Sequence, residues 1–193
     1  MAAGISRHLY TFHVAIDGID PPTWRRLAVP GNQSLQQFHL LLQLAFGWKT
    51  YHLYEFTIRG LRYALPAPDD LEADTLSSKA HSLDSFELHQ GERFAYLYDF
   101  GDDWAHLVTV EGVIPIAPGM RYPLLLGGAR ACPPEDVGGA HGYQQYLAAL
   151  KSPKTKAGRD ALDWNGPFDP EKWDSRGVLR IFAPPSALRS RTR

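Results

Sequence analysis

The sequence predicts an α+β fold: a single domain with a mixed, mostly antiparallel sheet and helices packed on one face. Three observations lead there. Residues 94–100, FAYLYDF, place an aromatic ring at every second position and turn through Gly101-Asp102-Asp103 into a second alternating run, WAHLVTVEGVI. That is the signature of a β-hairpin. Residues 35–46 instead repeat Leu35, Phe38, Leu42, Ala45 and Phe46 at helical spacing. Finally, 193 residues of which 44 % are hydrophobic can fill one core but are short for two.

The other elements follow in order. HLYTFHVAI (8–16) reads as a strand with Tyr10, Phe12, Val14 and Ile16 on one face. Asp20-Pro21-Pro22 breaks it, and TWRRLAVP resumes as a neighbouring strand that stops at Pro30-Gly31. Ser34 opens the helix, because Ser34 and Gln37 have the capping-box spacing, and Gly47 closes it. YHLYEFTIRGLRYAL (51–65) reads as a hairpin turning at Gly60. Residues 66–82 are acidic and poor in periodicity, as in a surface loop or a small insertion with a helical turn. Residues 115–138 read as irregular backbone. A helix is expected over Gly142 to Lys151, another short one from Asp169-Pro170-Glu171, and a last strand at 177–182. The domain is expected over residues 8–183, with 1–7 and 184–193 as flexible ends.

Composition narrows the function. The net charge is −1, but residues 63–112 carry eleven acids against two bases, while the flanks on both sides are basic. Such a distribution is no general nucleic-acid footprint, although folding could gather the flanks into one face. A single cysteine excludes an intramolecular disulfide and points to a reducing compartment. No apolar run nears the ~18 residues that a bilayer span requires. The expectation is a cytoplasmic protein without membrane contact.

Two acidic stretches could carry chemistry. The first, YDFGDDWAH, concentrates Asp99, Asp102 and Asp103 in a turn, with His106 on the return strand. Carboxylates with an imidazole can hold a divalent cation or divide acid and base roles. They are also the ordinary residues of a hairpin turn. The second, ACPPEDVGGAHGY, places Cys132, Glu135, Asp136 and His141 in a segment stiffened by Pro133-Pro134 and freed at Gly138-Gly139. A Cys132–histidine pair with His39, His52, His106 or His141 is a further possibility, and a thiol buried as a small hydrophobe the commoner one. His39 and His52 could be brought side by side by the helix and the strand after it. The metal candidates are thus Asp99, Asp102, Asp103, His106, Glu135 and Asp136. Asp102, Asp103, Glu135 and His106 are the catalytic candidates. No phosphate-binding glycine loop or nucleophile elbow is present. The two acidic stretches are expected to converge near one sheet edge. The alternative for Glu135 and Asp136 is pairing with the chain's own amides and with Arg25 or Arg26.

Taken together, IDPPTWRRLAVPGNQSLQQFHLLLQLAFGW, YHLYEF, YLYDFGDDWAHLVTVEGV, ACPPEDVGGAHGYQQYLAAL and WNGPFDPEKWD resemble, in this order, the plasmid pRiA4b ORF-3-like proteins. The resemblance runs from about Leu9 to Phe182. It implies a mixed α+β domain and brings no agreed catalytic residues. Members occur on plasmids, transposon-like elements and chromosomes, and some bear a resolvase label. The serine-recombinase pattern does not fit, because Ser6 is not placed after a strand among arginines. Family members often carry further cysteines near the motif, in a PPEDCGG form, where this chain has Val137. The expected function is a non-enzymatic accessory or binding module linked to plasmid, mobile-element or nucleic-acid biology. A metal-dependent hydrolase with a divalent ion is the alternative. A protein-interaction module, supported by the acidic stretch 66–87, is the third. Nucleic acid or another protein is the expected partner class.

Overall fold

The computed structural model describes residues 8–65, 74–116 and 122–173. The strand expected at 177–182, the flexible ends and much of the acidic loop therefore lie outside the described residues. Within them the fold is the expected α+β type. Eight strands form one sheet: β1 (His8–Ile16), β2 (Trp24–Pro30), β3 (Tyr54–Ile58), β4 (Leu61–Ala64), β5 (Thr75–Ser77), β6 (Arg93–Tyr98), β7 (Trp104–Pro115) and β8 (Leu124–Ala129). Their order is β5-β4-β3-β6-β7-β1-β2-β8. Only the β4–β5 pair is parallel; the other pairs are antiparallel.

Alternation decides which face is buried. Tyr10, Phe12, Val14 and Ile16 of β1, Phe94, Tyr96 and Tyr98 of β6, and Trp104, His106, Val108 and Val110 of β7 all turn inward. The register places Tyr96 opposite both Phe56 and His106, so the rings form a continuous layer. Helix α1 (Leu35–Phe46) covers this layer. Its Phe38 lies 4.8 Å from Phe12 and 5.8 Å from Phe56, ring centre to ring centre. The expected capping box is formed: Ser34 accepts from the Gln37 amide, and the Gln37 side chain accepts from the Ser34 amide. Gly47, at φ 90°, terminates the helix in the left-handed conformation.

Arg25 fixes the C-terminal end of α1. Its guanidinium is buried and donates to four backbone carbonyls, those of Ala45, Trp24, Ala129 and Arg130. Phe46 and Trp173 sandwich it. Burial without a carboxylate pushes its pKa down to about 10, against the opposing pull of Cys132. Glycine at 128 is required here: a Cβ would come within 2.9 Å of Arg25 Cδ, of the Trp24 carbonyl and of Trp173. Edge strand β8, read from the sequence as irregular, thus follows the buried arginine of its neighbour.

Helix α2 (Gly139–Leu150) packs on α3 (Lys156–Asn165) around Tyr143, Tyr146, Trp164 and Phe168. Its first turn abuts the β1–β2 and β6–β7 turns, at Gly18 and Asp102. The helix therefore begins at Gly139, ahead of the expected Gly142. Asp169-Pro170-Glu171 forms a single turn instead of a helix, with the Lys172 amide donating to the Asp169 carbonyl. Strand β5, a 3₁₀ turn at Leu83–Phe86 and α3 are additional to the expected elements.

Candidate functional site

The two acidic stretches do converge. They meet at the end of the central β6–β7 hairpin, and not at a lateral edge of the sheet, because β6 and β7 are inner strands. The Gly138 amide donates to Asp102 Oδ2 at 3.1 Å. Gly139, at φ 67°, lies so close that a Cβ would stand 2.2 Å from the Asp102 carbonyl oxygen. The paired glycines therefore allow the segment before α2 to seat on the hairpin turn. A second strap comes from Glu135, whose Oε1 accepts from the Tyr98 hydroxyl at 2.7 Å and from the Lys49 amide at 3.1 Å. Burial, reinforced by Glu135, pushes the Tyr98 phenol well above its usual range. Trp48 adds a third: its Nε1–H donates to the Pro133 carbonyl while its ring stacks on Tyr98.

Between these straps lies a compact trio. His52, Asp99 and Asp136 each present one ligand atom, and the three atoms lie within 4.8 Å of one another. His52 Nε2 is 3.5 Å from Asp99 Oδ2 and 3.3 Å from Asp136 Oδ1. This nitrogen is buried and makes no well-formed hydrogen bond among the described residues. Asp99 is buried; its Oδ1 accepts from the Gly101 and Asp102 amides, which leaves Oδ2 aimed at the ring. The Asp99 amide in turn donates to the Leu53 carbonyl, tying the His52 segment alongside. Asp99 and Asp136 both adopt positive φ, near 59°. Two aspartates tolerate this better than most residues, and it re-aims their carboxylates out of the run of the chain.

The remaining candidates fall elsewhere. Asp102 caps the Gly138 amide and Glu135 holds Tyr98, so both position the loop. Asp103 is exposed at φ 55°. His106 is fully buried against Phe46, Trp48 and Tyr96 and does not join the trio. Its Nδ1–H donates to the Trp104 and Tyr96 carbonyls, and burial lowers its pKa to about 4. Period-2 patterning places its side chain on the inward face, which is why it belongs to the core. The Cys132 thiol is pushed far up by burial, against the pull of Arg25, so no ready thiolate stands there. His141 is engaged with Gln145. Arg25 and Arg26 do not pair with Glu135 or Asp136: Arg25 takes carbonyls, and Arg26 forms a two-point ion pair with Glu111 at 2.6 and 2.8 Å. His39 and His52 are not stacked on each other; His39 stacks on Tyr54 with ring centres 3.6 Å apart, and His52 meets Tyr98 edge-on.

A cavity of about 500 Å³ opens beside the trio, with His52 in its wall. It lies between α1 and the β3–β4 hairpin. Leu40, Leu53, Leu65 and Phe100 give it an apolar rim, and each of these is substantially exposed.

The family profile described as plasmid pRiA4b ORF-3-like protein matches residues 8–176. The chain belongs to this family. An uncharacterized protein y4hQ from Sinorhizobium fredii (strain NBRC 101917 / NGR234) is 37 % identical over 156 residues, covering 81 % of this chain and 80 % of that one. The crystal structure of a protein of unknown function, MM3350 from Methanosarcina mazei Go1, is 30 % identical with a TM-score of 0.79, covering 93 % of this ORF-3-like chain and 99 % of its own. The ORF-3-like fold is thus shared across this distance, and the relatives carry no stated activity. Among the described residues no helix is long and apolar enough to cross a membrane.

Proposed function

We propose that this ORF-3-like protein is a binding module that holds one divalent transition-metal ion at His52, Asp99 and Asp136. The observation that carries the reading is the spacing around His52 Nε2. Donor atoms about 2.1 Å from one tetrahedral ion stand about 3.4 Å apart. The two distances from Nε2, 3.3 and 3.5 Å, match that spacing, and all three donor atoms lie within 4.8 Å of one another. One imidazole and two carboxylates suit zinc or manganese better than a soft metal. A buried nitrogen without a good hydrogen bond, facing two carboxylates, is what an ion would satisfy.

Hydrolysis is the second reading, favoured by the ligand count. Three protein ligands leave a tetrahedral ion one position for water, the arrangement that generates a nucleophile near neutral pH. The link to plasmid and nucleic-acid biology rests on the family's description. The trio supports it only with an ion present, because bare carboxylates repel phosphate.

Calorimetric titration of the purified full chain with zinc and with manganese tests the proposal. One ion per chain should bind, and Asp99→Asn, Asp136→Asn and His52→Ala should each weaken it at least about tenfold. No uptake, or uptake unchanged in the Asp99→Asn/Asp136→Asn double variant, refutes it and leaves His52 as the centre of a simple ion pair.

A further inference from the structure

We propose that the cavity between α1 and the β3–β4 hairpin binds an uncharged small molecule with an apolar body and an oxygen acceptor, which takes a hydrogen bond from His39 Nε2. The cavity shares His52 with the proposed metal trio, but Asp99 and Asp136 are not in its wall, and the hydrogen bond proposed here comes from His39.

A chain of buried hydrogen bonds runs from the Thr50 amide to His39. The Thr50 amide can only donate, and it does so to Gln43 Oε1 at 3.2 Å. Gln43 must then present its amino group to the Tyr96 hydroxyl, at 3.0 Å. The phenol oxygen accepts that bond and has one proton to give; His39 Nδ1, 2.8 Å away, receives it. With Nδ1 as acceptor, the neutral ring carries its proton on Nε2. Burial keeps the ring neutral by lowering its pKa to about 3. His39 is only 2 % exposed, and it is one of the residues that line the cavity. Nε2 makes no hydrogen bond among the described residues. The relay therefore ends in an unused N–H donor held rigidly in the cavity wall, with Tyr54 stacked flat on the ring.

The rest of the wall defines the ligand. Leu40, Leu53, Leu65 and Phe100 supply apolar surface. The charges there, Glu55 and Arg62, face each other at 2.8 Å, so neither calls for a charged ligand. Gln36 and Thr75 add neutral polar residues to the wall. A volume of about 500 Å³ lies within the range of small-molecule sites. An aromatic or alicyclic ketone, amide or ester fits these properties.

Nile red, a neutral polycyclic dye with a carbonyl oxygen, is a suitable probe. Titrated into the full chain, it should bind at one per chain with blue-shifted emission. Leu53→Glu and Leu40→Glu change exposed rim positions and should preserve the circular dichroism spectrum. Each should weaken dye binding at least about tenfold by setting a carboxylate against the apolar body. In protein labelled with nitrogen-15 at histidine, the His39 Nε2 resonance should shift on binding, and Asp103→Asn, at an exposed position outside the wall, should leave the dye affinity unchanged. Failure of the dye to bind, binding without saturation at one per chain, affinity unaffected by both rim variants, or an unshifted His39 Nε2 resonance overturns the proposal.

Discussion

His39 and His106 lie inside the molecule beneath α1, whereas His52 lies at the end of the same sheet between two carboxylates. The interior rings are held neutral by burial, and their Nδ1 atoms meet a phenol or backbone carbonyls. His52 instead turns its buried Nε2 toward two carboxylate groups, 3.3 and 3.5 Å away. The same side chain is therefore a packing and hydrogen-bonding element in one place and a candidate ligand in the other. Surroundings that depend on tertiary structure make the difference, as the interior arginine also shows.

The sharpest way to break this contrast is through Arg25, the interior's only buried guanidinium with no acidic partner among the described residues. Arg25→Met should cost about 3–5 kcal/mol, since it strips four carbonyls of their donors. Arg25→Lys should recover little, because an ammonium cannot reproduce the planar fork. Urea unfolding measures both. A loss below about 1 kcal/mol for Arg25→Met would mean that the interior polar groups do not hold α1 to β8.

The interior histidines should appear next, in the pH dependence of stability. Their folded pKa values, about 3 for His39 and about 4 for His106, lie below the ordinary 6.5. As pH falls below 6.5 the unfolded chain takes up protons that the folded rings refuse, so stability falls with pH. Each ring contributes a slope of about 1.4 kcal/mol per pH unit. The window closes only as pH reaches the folded values. Glu111, held low by its hydrogen bonds from Arg26, loses its contribution at more acid pH and does not obscure the range from 6.5 to 5. Urea midpoints at three pH values should show the slope, to which His13, also lowered by burial, adds, and His106→Gln should remove one ring's share of it. A flat profile would place both rings in contact with water.

The smallest effect belongs to Asp103. Asp103→Asn keeps a side chain that tolerates positive φ, and should change stability by no more than about 0.5 kcal/mol. Zinc uptake measured on this variant should match the parent. A large drop would move the centre of the site from His52 toward the tip of the turn.

What the sequence made legible was local. The β6–β7 hairpin, the capping box of α1 and the β3–β4 turn at Gly60 are each written within a few residues of one another. Strand β8 was not legible, because its Gly127-Gly128 reads as loop until the side chain of Arg25 occupies the space. Helix α3 was hidden for a different reason: it buries only Gly158 and Ala161, so almost no apolar stripe marks it. The meeting of the two acidic stretches could be anticipated from their composition. Which acids point inward could not, since Asp99 and Asp103 share a turn and a positive φ, yet one is buried and the other is not. His52 carried a weak signal, a histidine at the start of a strand, and only the carbonyl of Leu53 accepting from Asp99 reveals its partner.

Because His52, Asp99 and Asp136 come from three separate stretches of chain, an ion held there would act as a clasp. It would fasten the approach to β3, the exit of β6 and the run into α2 in a protein whose lone cysteine can form no internal crosslink. The unfolded polypeptide cannot assemble the three donors, so a bound ion would favour the native state by mass action. Chelator would then be felt as a lower melting temperature even where no turnover is measured.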